Sequence, residues 1–232
     1  MAARPPRLLH LNGPPGIGKS TLARRWVEER PGILNCDIDV LRMLVGGWRD
    51  DFVVTGEVIR PAALAMIGAH LDSGRDVVMP QMIARSSEVE RFRAAATAAG
   101  ATYLQVMLVA DRDEAIARFH RRAGDDALTT HVREVVARDG GDPFLGRLFD
   151  GLAVLARRDG VVVVPSVEGD VDGTYARLGE AVGGRGSEPQ RSGAPGHGTG
   201  AAPNDSARSD ASVSSSTPRR RSSPSVEATS RE

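Results

Sequence analysis

An α/β fold, with one parallel sheet covered by helices on both faces, is predicted for most of this 232-residue chain by three observations. Short β-rich apolar runs alternate with longer stretches of helical period, the pattern of right-handed βαβ units. Two of those runs, Val106–Val109 and Val161–Val164, are near-continuously apolar, as strands buried on both faces are. A glycine-rich stretch, Gly13 to Ser20, joins the first strand to the first helix.

In chain order the predicted strands are Arg7–Asn12, Ile33–Cys36, Asp76–Pro80, Tyr103–Val109 and Val161–Val164. The first helix, Ser20–Glu29, follows the glycine-rich loop directly. Asp37 and Asp39 can cap the second, Ile38–Val45. Long helical periods place further helices at Gly56–Ser73 and Ser86–Ala99. Asp111, Asp113 and Glu114 put negative charge at the start of Arg112–Arg122, which suits the helix dipole. Pro143–Arg157 and Val171–Val182 complete the set. There is no internal repeat. Five strands over residues 1–182 make one domain.

The last 50 residues, 183–232, read differently: 24 are Gly, Pro or Ser, and none is Leu, Ile, Met, Phe, Tyr or Trp. Such a segment buries too little apolar surface to offset its ordering entropy, so a disordered tail is expected. It carries 7 Arg against 5 acids, whereas residues 1–182 carry 23 basic against 25 acidic side chains. The net charge of zero is therefore a sum of two mild opposite biases, and a slightly acidic domain argues against nucleic acid as partner. Cys36 is the single cysteine, so no internal disulfide ties the fold to an oxidising compartment. Apolar runs such as Val161–Val164 are too short to span a bilayer, and the N-terminus shows no signal-peptide apolar region. A cytoplasmic protein without a membrane partner is expected.

Gly13-Pro14-Pro15-Gly16-Ile17-Gly18-Lys19-Ser20 fits G-x-x-x-x-G-K-[ST]. It follows the strand-like Leu8-Leu9-His10-Leu11-Asn12 and opens a helix through Ser20, Thr21 and Leu22. The glycines let backbone N–H groups turn inward onto phosphate oxygens, and the helix adds the positive end of its dipole. Lys19 reaches the β- and γ-phosphates, and the Ser20 hydroxyl can take a place on Mg²⁺. Lys19 is also the only lysine; the other 29 of the 30 basic residues are arginine. A compact ammonium fits between phosphate oxygens where a planar guanidinium does not. The expected ligands are ATP and Mg²⁺.

With this loop, Asn35-Cys36-Asp37-Ile38-Asp39 after the second strand, and Arg118-Phe119-His120-Arg121-Arg122 after the fourth, the chain resembles the small P-loop kinases. The nearest groups are the zeta-toxin and chloramphenicol-phosphotransferase-like ATPases, with gluconate and nucleotide kinases as relatives. The resemblance spans roughly residues 7–182. It implies a three-layer αβα P-loop fold with a five-stranded parallel sheet in the order 2-3-1-4-5, and transfer of the ATP γ-phosphoryl group.

Asp37 and Asp39 stand at the carboxyl end of a strand, where open α/β sheets bind ligands. One of them can accept the proton of an attacking hydroxyl, can hold Mg²⁺ through water, or can simply cap the helix. Asp37 is the first choice as base and Asp39 the second. Arg42, a helical turn beyond Asp39, can bind a substrate anion or lie on a solvated face. Relatives often end strand three with an acid; here Pro80 and Gln81 stand there, and Gln81 can meet a substrate hydroxyl. Arg118 and Arg122, four apart, are expected to close on the phosphates from a lid formed by 124–142, with His131 on its surface. Trp26, Phe92 and Phe149 are expected to pack on the sheet.

The expectation is a kinase acting on a hydroxyl of a small molecule. A nucleotide-binding switch without phosphotransfer is the alternative, and a polynucleotide 5′-hydroxyl kinase a weaker one.

Overall fold

The computed structural model describes residues 4–122, 124 and 126–184. In chain order its elements are β1 (Arg7–Asn12), α1 (Lys19–Glu28), β2 (Leu34–Asn35), α2 (Ile38–Arg42), α3 (Phe52–Asp72), β3 (Val77–Met79) and α4 (Ser86–Ala98). They continue with β4 (Thr102–Val109), α5 (Arg112–Arg121), α6 (Ala127–Arg138), α7 (Gly141–Ala156), β5 (Val161–Pro165) and α8 (Val171–Gly184). The strands form one parallel sheet in the order β2-β3-β1-β4-β5, as the resemblance implies.

Alternation along β1 divides the core. Leu9 and Leu11 face a layer built with Leu22, Ala23 and Trp26 of α1 and Tyr175, Leu178 and Val182 of α8. Leu8 faces the other layer, with Ile67 and Leu71 of α3 and Val89 and Phe92 of α4. On that second side Leu152 and Leu155 of α7 cover Met107 of β4. A separate small cluster joins Phe119, Val136 and Leu145, so that α5, α6 and α7 hold one another.

Two buried polar residues of β1 are fully bonded. Asn12 donates to the Ile83 carbonyl at 2.9 Å and accepts from the N–H groups of Gly13 and Ile83. His10 Nε2 lies 2.7 Å from the Gln81 carbonyl, which can only accept, so Nε2 carries the proton and Nδ1 accepts from Tyr103 Oη at 2.7 Å. Burial pushes its pKa down to about 4, so the ring is neutral. Asp76, at the start of strand three, accepts from the Arg7 N–H and pairs with Arg4, at the end of the sheet opposite the β1–α1 loop.

Several boundaries differ from the sequence reading. β2 and β3 are shorter than expected, and α3 begins at Phe52 rather than Gly56, capped by Asp51, which accepts from the Val53 and Val54 N–H groups. β5 lies at the sheet's edge and leaves Val163 46% exposed, so its apolar run does not mark burial on both faces. A full helix, α6, occupies much of 124–142, the segment expected to form a lid, where no helix was expected from the sequence. Among the described residues one helix, α3, is long and apolar enough to cross a membrane by length and composition, an 18-residue stretch of it having a mean hydropathy of 1.5. No single apolar run had suggested it, because Glu57, Arg60 and Pro61 interrupt the stretch. Ala63, Ile67 and Leu71 of its second half are in the core. The expected tail lies outside the described residues, apart from Gly183 and Gly184, which close α8.

Candidate functional site

The loop between β1 and α1 is shaped by what its glycines touch. A Cβ on Gly13 (φ 145°) would stand 2.7 Å from the Leu108 carbonyl oxygen. At Gly16 (φ 80°) it would meet the Phe119 backbone at 3.1 Å. Only glycine lets the chain turn this close to β4 and α5. Gly18 is the N-cap of α1 and offers no side-chain cap, so the first-turn N–H groups stay available to an anion.

Lys19 curls back over the loop, donating to the carbonyls of Gly13 at 2.8 Å and Pro14 at 2.9 Å. Burial pushes its pKa down to about 8, while Asp39 and Asp37 oppose that shift and Arg122 adds to it. The two acids and Arg122 are thus close enough to act on the same ammonium. Ser20 Oγ donates to Asp37 Oδ2 at 3.0 Å, and Asp37 Oδ1 accepts from the Asp39 N–H at 3.1 Å. Burial, then repulsion by Asp39, raises the Asp37 pKa against the pull of these hydrogen bonds.

Asp37 is therefore both the helix cap of α2 and the partner of the loop serine. Asp39 is held differently: its buried Oδ1 has no hydrogen bond but forms an ion pair with Arg42 Nη1 at 3.1 Å. Arg42 is not on a solvated face. It is 3% exposed, its guanidinium lies 3.5 Å from the Phe52 ring centroid, and a Cβ on Gly56 would touch its Nη2 at 2.8 Å.

On the opposite side of the loop a cleft of about 550 Å³ is lined by Gly16, Gly18, Thr21, Arg122, Val167 and Val171, among others. Arg118 also borders it but does not pair with Arg122. It is buried, bonds Glu114 through Nε and Nη2, and reaches Ser166 through Nη1 and Nη2 at 3.2 and 3.0 Å. Ser166 Oγ in turn donates to the Ile17 carbonyl at 3.0 Å. Arg118 thus ties α5, the β5–α8 turn and the phosphate loop together. Arg121 pairs with Glu168, whereas Arg122, at the end of α5, has no side-chain ion pair with a described residue. Pro14 and Pro15 border a narrow crevice with Phe119 and the half-buried Phe149.

Gln81 turns its carbonyl to His10, and its side-chain Oε1 is buried without a partner. Cys36 is fully buried, and burial pushes its thiol up to about 12, as a packed strand residue requires. His131 is not a surface residue. It is 5% exposed, stacked edge-on against Trp48 at 5.2 Å and tilted against Phe52 at 5.4 Å. The sequence reading missed it, along with Ser166 and Phe52. The signal for α6 was present in Asp126, whose carboxylate caps Thr129 N–H, and in the helical spacing of Leu128, Val132 and Val136.

Two oxygen ligands 3.0 Å apart, Ser20 Oγ and Asp37 Oδ2, fit a hard cation that keeps water and phosphate as its other ligands. Among the described residues no group of three or more His, Cys, Asp or Glu forms an all-protein metal cage.

A family model described as an AAA domain matches residues 8–139, more than half of the chain. No curated protein matches the sequence. Among solved structures, a gluconokinase from Sinorhizobium meliloti 1021 is similar at 19% identity and a TM-score of 0.50, over 79% of this chain and 99% of that one. A candidate kinase from Chloroflexus aurantiacus J-10-fl is similar at 17% identity and a TM-score of 0.55, over the same shares, 79% and 99%. At such identities the likeness is one of fold, that of small P-loop kinases. The matched AAA model and the phosphate loop within it place this chain in the AAA domain family, as a small P-loop kinase-like protein.

Proposed function

We propose that the chain is an ATP-dependent kinase that transfers the γ-phosphoryl group to a hydroxyl of a small molecule. The observation that carries this reading is the convergence on Lys19 of Asp37, bound to Ser20, of Asp39, paired with Arg42, and of Arg122. ATP lies with its phosphates in the loop and its base in the cleft beside Thr21 and Val167. The ammonium of Lys19 exchanges its two carbonyl partners for β- and γ-phosphate oxygens, which suits an amine whose charge the loop alone holds poorly.

This reading takes Asp39, the second choice from the sequence, as the base. Asp37, already bonded to the loop serine, supports Mg²⁺ with Ser20. Asp39 accepts the acceptor's proton as the new P–O bond forms and the bond to ADP breaks. Bound Mg²⁺ neutralises phosphate charge. Arg122 compensates the charge that spreads in the transition state, and Arg118 fixes the wall from which it acts. An ATP-rich compartment, the cytoplasm, is the setting this reading implies.

Strand three supplies no acid at its carboxyl end, Pro80 and Gln81 standing there, and that favours a second reading as a nucleotide-dependent switch. ADP release from Mg-ATP with a panel of hydroxyl compounds separates the two. Acceptor-stimulated release that disappears in Lys19→Ala is expected. ATP binding with no stimulated release sinks the kinase reading and leaves the switch.

A further inference from the structure

A second cleft, of about 500 Å³, is lined by Glu90 and Arg93 of α4 and by Arg157, Arg158 and Asp159 of the turn between α7 and β5. Gln105, in the middle of β4, lines it as well. Alternation along the strand turns Gln105 to the same side as Tyr103 and Met107, the face of the sheet that α4 and α7 cover. The site is separate from the phosphate loop: α1 packs on the opposite face, and residues 13–20 do not border the cleft. Gln105 is only 3% exposed, and its Nε2 has no hydrogen-bond partner.

The charges around the cleft are unequal. Glu90 is given over to Arg93, paired at 3.2 Å, and the Arg93 guanidinium also lies 4.7 Å from the Tyr103 ring centroid. Arg157 and Arg158 are exposed, and neither side chain has an ion pair with a described residue. Together they outweigh Asp159. Cations at a helix C-terminus favour its dipole, and that alone accounts for arginines at the end of α7. It does not account for Gln105. A buried donor left unbonded is destabilising, and native folds retain few of them. A leucine would fill the same place on β4 without that cost, so the amide does something that packing does not require.

We infer that this cleft is a second binding site, for a small organic anion. Arg157 and Arg158 take its carboxylate or phosphate group, and Gln105 Nε2 donates to another of its oxygens. Guanidinium groups suit both kinds of anion, because their paired N–H groups match two oxygens at once. Nε2 can only donate, so the ligand presents an acceptor to it. The volume suits an organic molecule rather than a bare inorganic ion.

The test is calorimetric titration of the full chain, without nucleotide or Mg²⁺, with glucose 6-phosphate and with citrate. At least one of the two is expected to bind with a Kd of about 1 mM or tighter, and the stronger of them tells phosphate from carboxylate. The double variant Arg157→Ala, Arg158→Ala is expected to raise that Kd about tenfold or more, with Tm unchanged because both side chains are exposed. Gln105→Leu should raise it about tenfold, while its Tm equals or exceeds the parent's. Lys19→Ala should leave the Kd as it is in the parent. Neither anion binding at about 1 mM or tighter overturns the inference. So does an unchanged Kd in the double variant, or in a folded Gln105→Leu protein. Binding that disappears in Lys19→Ala overturns it too, since the anion then sits in the phosphate loop. If Gln105→Leu does not fold, the double variant decides.

Discussion

Asp37 and Asp39 are two residues apart, yet their surroundings separate their roles. Asp37 has both oxygens hydrogen-bonded, one by Ser20 and one by the α2 backbone, while Asp39 Oδ1 has an ion pair with Arg42 and no hydrogen bond. Asp39→Asn is expected to lower kcat by about 10²- to 10⁴-fold with little change in ATP affinity, the range for loss of a positioned base. Asp37→Asn retains a good helix cap and a partner for Ser20, so α2 persists. It should instead raise the Mg²⁺ concentration needed for half-maximal rate, and a magnesium titration of both variants reads the split directly. Equal kcat in Asp39→Asn and the parent would remove Asp39 as the base. His10 gives a prediction of another kind. Its pKa of about 4 in the fold lies below its ordinary value of 6.5, so the unfolded chain binds more protons between those two pH values. Stability therefore rises with pH across that window, and is lost as pH falls from about 6.5 to about 4. The full effect is on the order of 3 kcal/mol. Urea unfolding at several pH values should show a shallower acid loss in His10→Gln than in the parent.

At the scale of elements, α6 tests how far a local cap holds a helix in place. Asp126 caps it twice, accepting the Thr129 N–H at 2.9 Å and the Thr129 hydroxyl at 2.6 Å. Asp126→Ala should cost about 1 kcal/mol, the usual size of a lost cap. Because α6 joins the rest through a small cluster, that loss should appear as faster amide exchange across 127–138 more than as global unfolding. Exchange unchanged in 127–138 would mean that tertiary packing, not the cap, holds the helix. The same element shows where sequence reading reaches its limit. Strands β1 and β4 and the phosphate loop were legible, because strong apolar runs and a glycine pattern act locally. Helix α6 has a weaker signal, a cap and a helical spacing set against Thr129, Thr130, Val132, Val135 and Val136 of low helical propensity and flanking glycines. β5 reads as doubly buried from its valines, but its place at the sheet's edge is a property of topology. Arg118 and Arg122 read as a pair from spacing; Ser166, far along the chain, is what draws Arg118 inward. His131 is legible only once Trp48 and Phe52, about 80 residues away, are known to meet it.

For the whole molecule, the core clusters of the described residues draw on residues 8–182, from β1 to α8. The segment beyond Gly184 holds no large apolar side chain with which to add to them. Cutting the chain after Gly184 should therefore leave Tm unchanged, and a clear drop on differential scanning would show that the segment contributes to stability. The same experiment with nucleotide tests the loop as a binding device. Mg-ATP that binds the native chain and not the unfolded one stabilises by RT ln(1 + [L]/Kd), about 2.7 kcal/mol at a hundredfold excess over Kd. For a domain of this length that corresponds to a Tm rise of roughly 5–10 °C. Lys19→Ala should lose most of the rise, because the phosphates then keep the loop's N–H groups but lose the ammonium. Its free form should not be much less stable than the parent at pH 7. Burial disfavours the charged amine there, and the bonds to Gly13 and Pro14 that the mutation removes offset that penalty only in part. The sign follows from the amine's pKa of about 8, below its ordinary 10.5: the fold gains stability from this group only as pH rises through that interval. A parent that stabilises relative to Lys19→Ala between pH 8 and pH 10.5, and that alone shows the full shift with Mg-ATP, is the expected pair of results. An equal nucleotide shift in both proteins would show that the ammonium does not hold the phosphates.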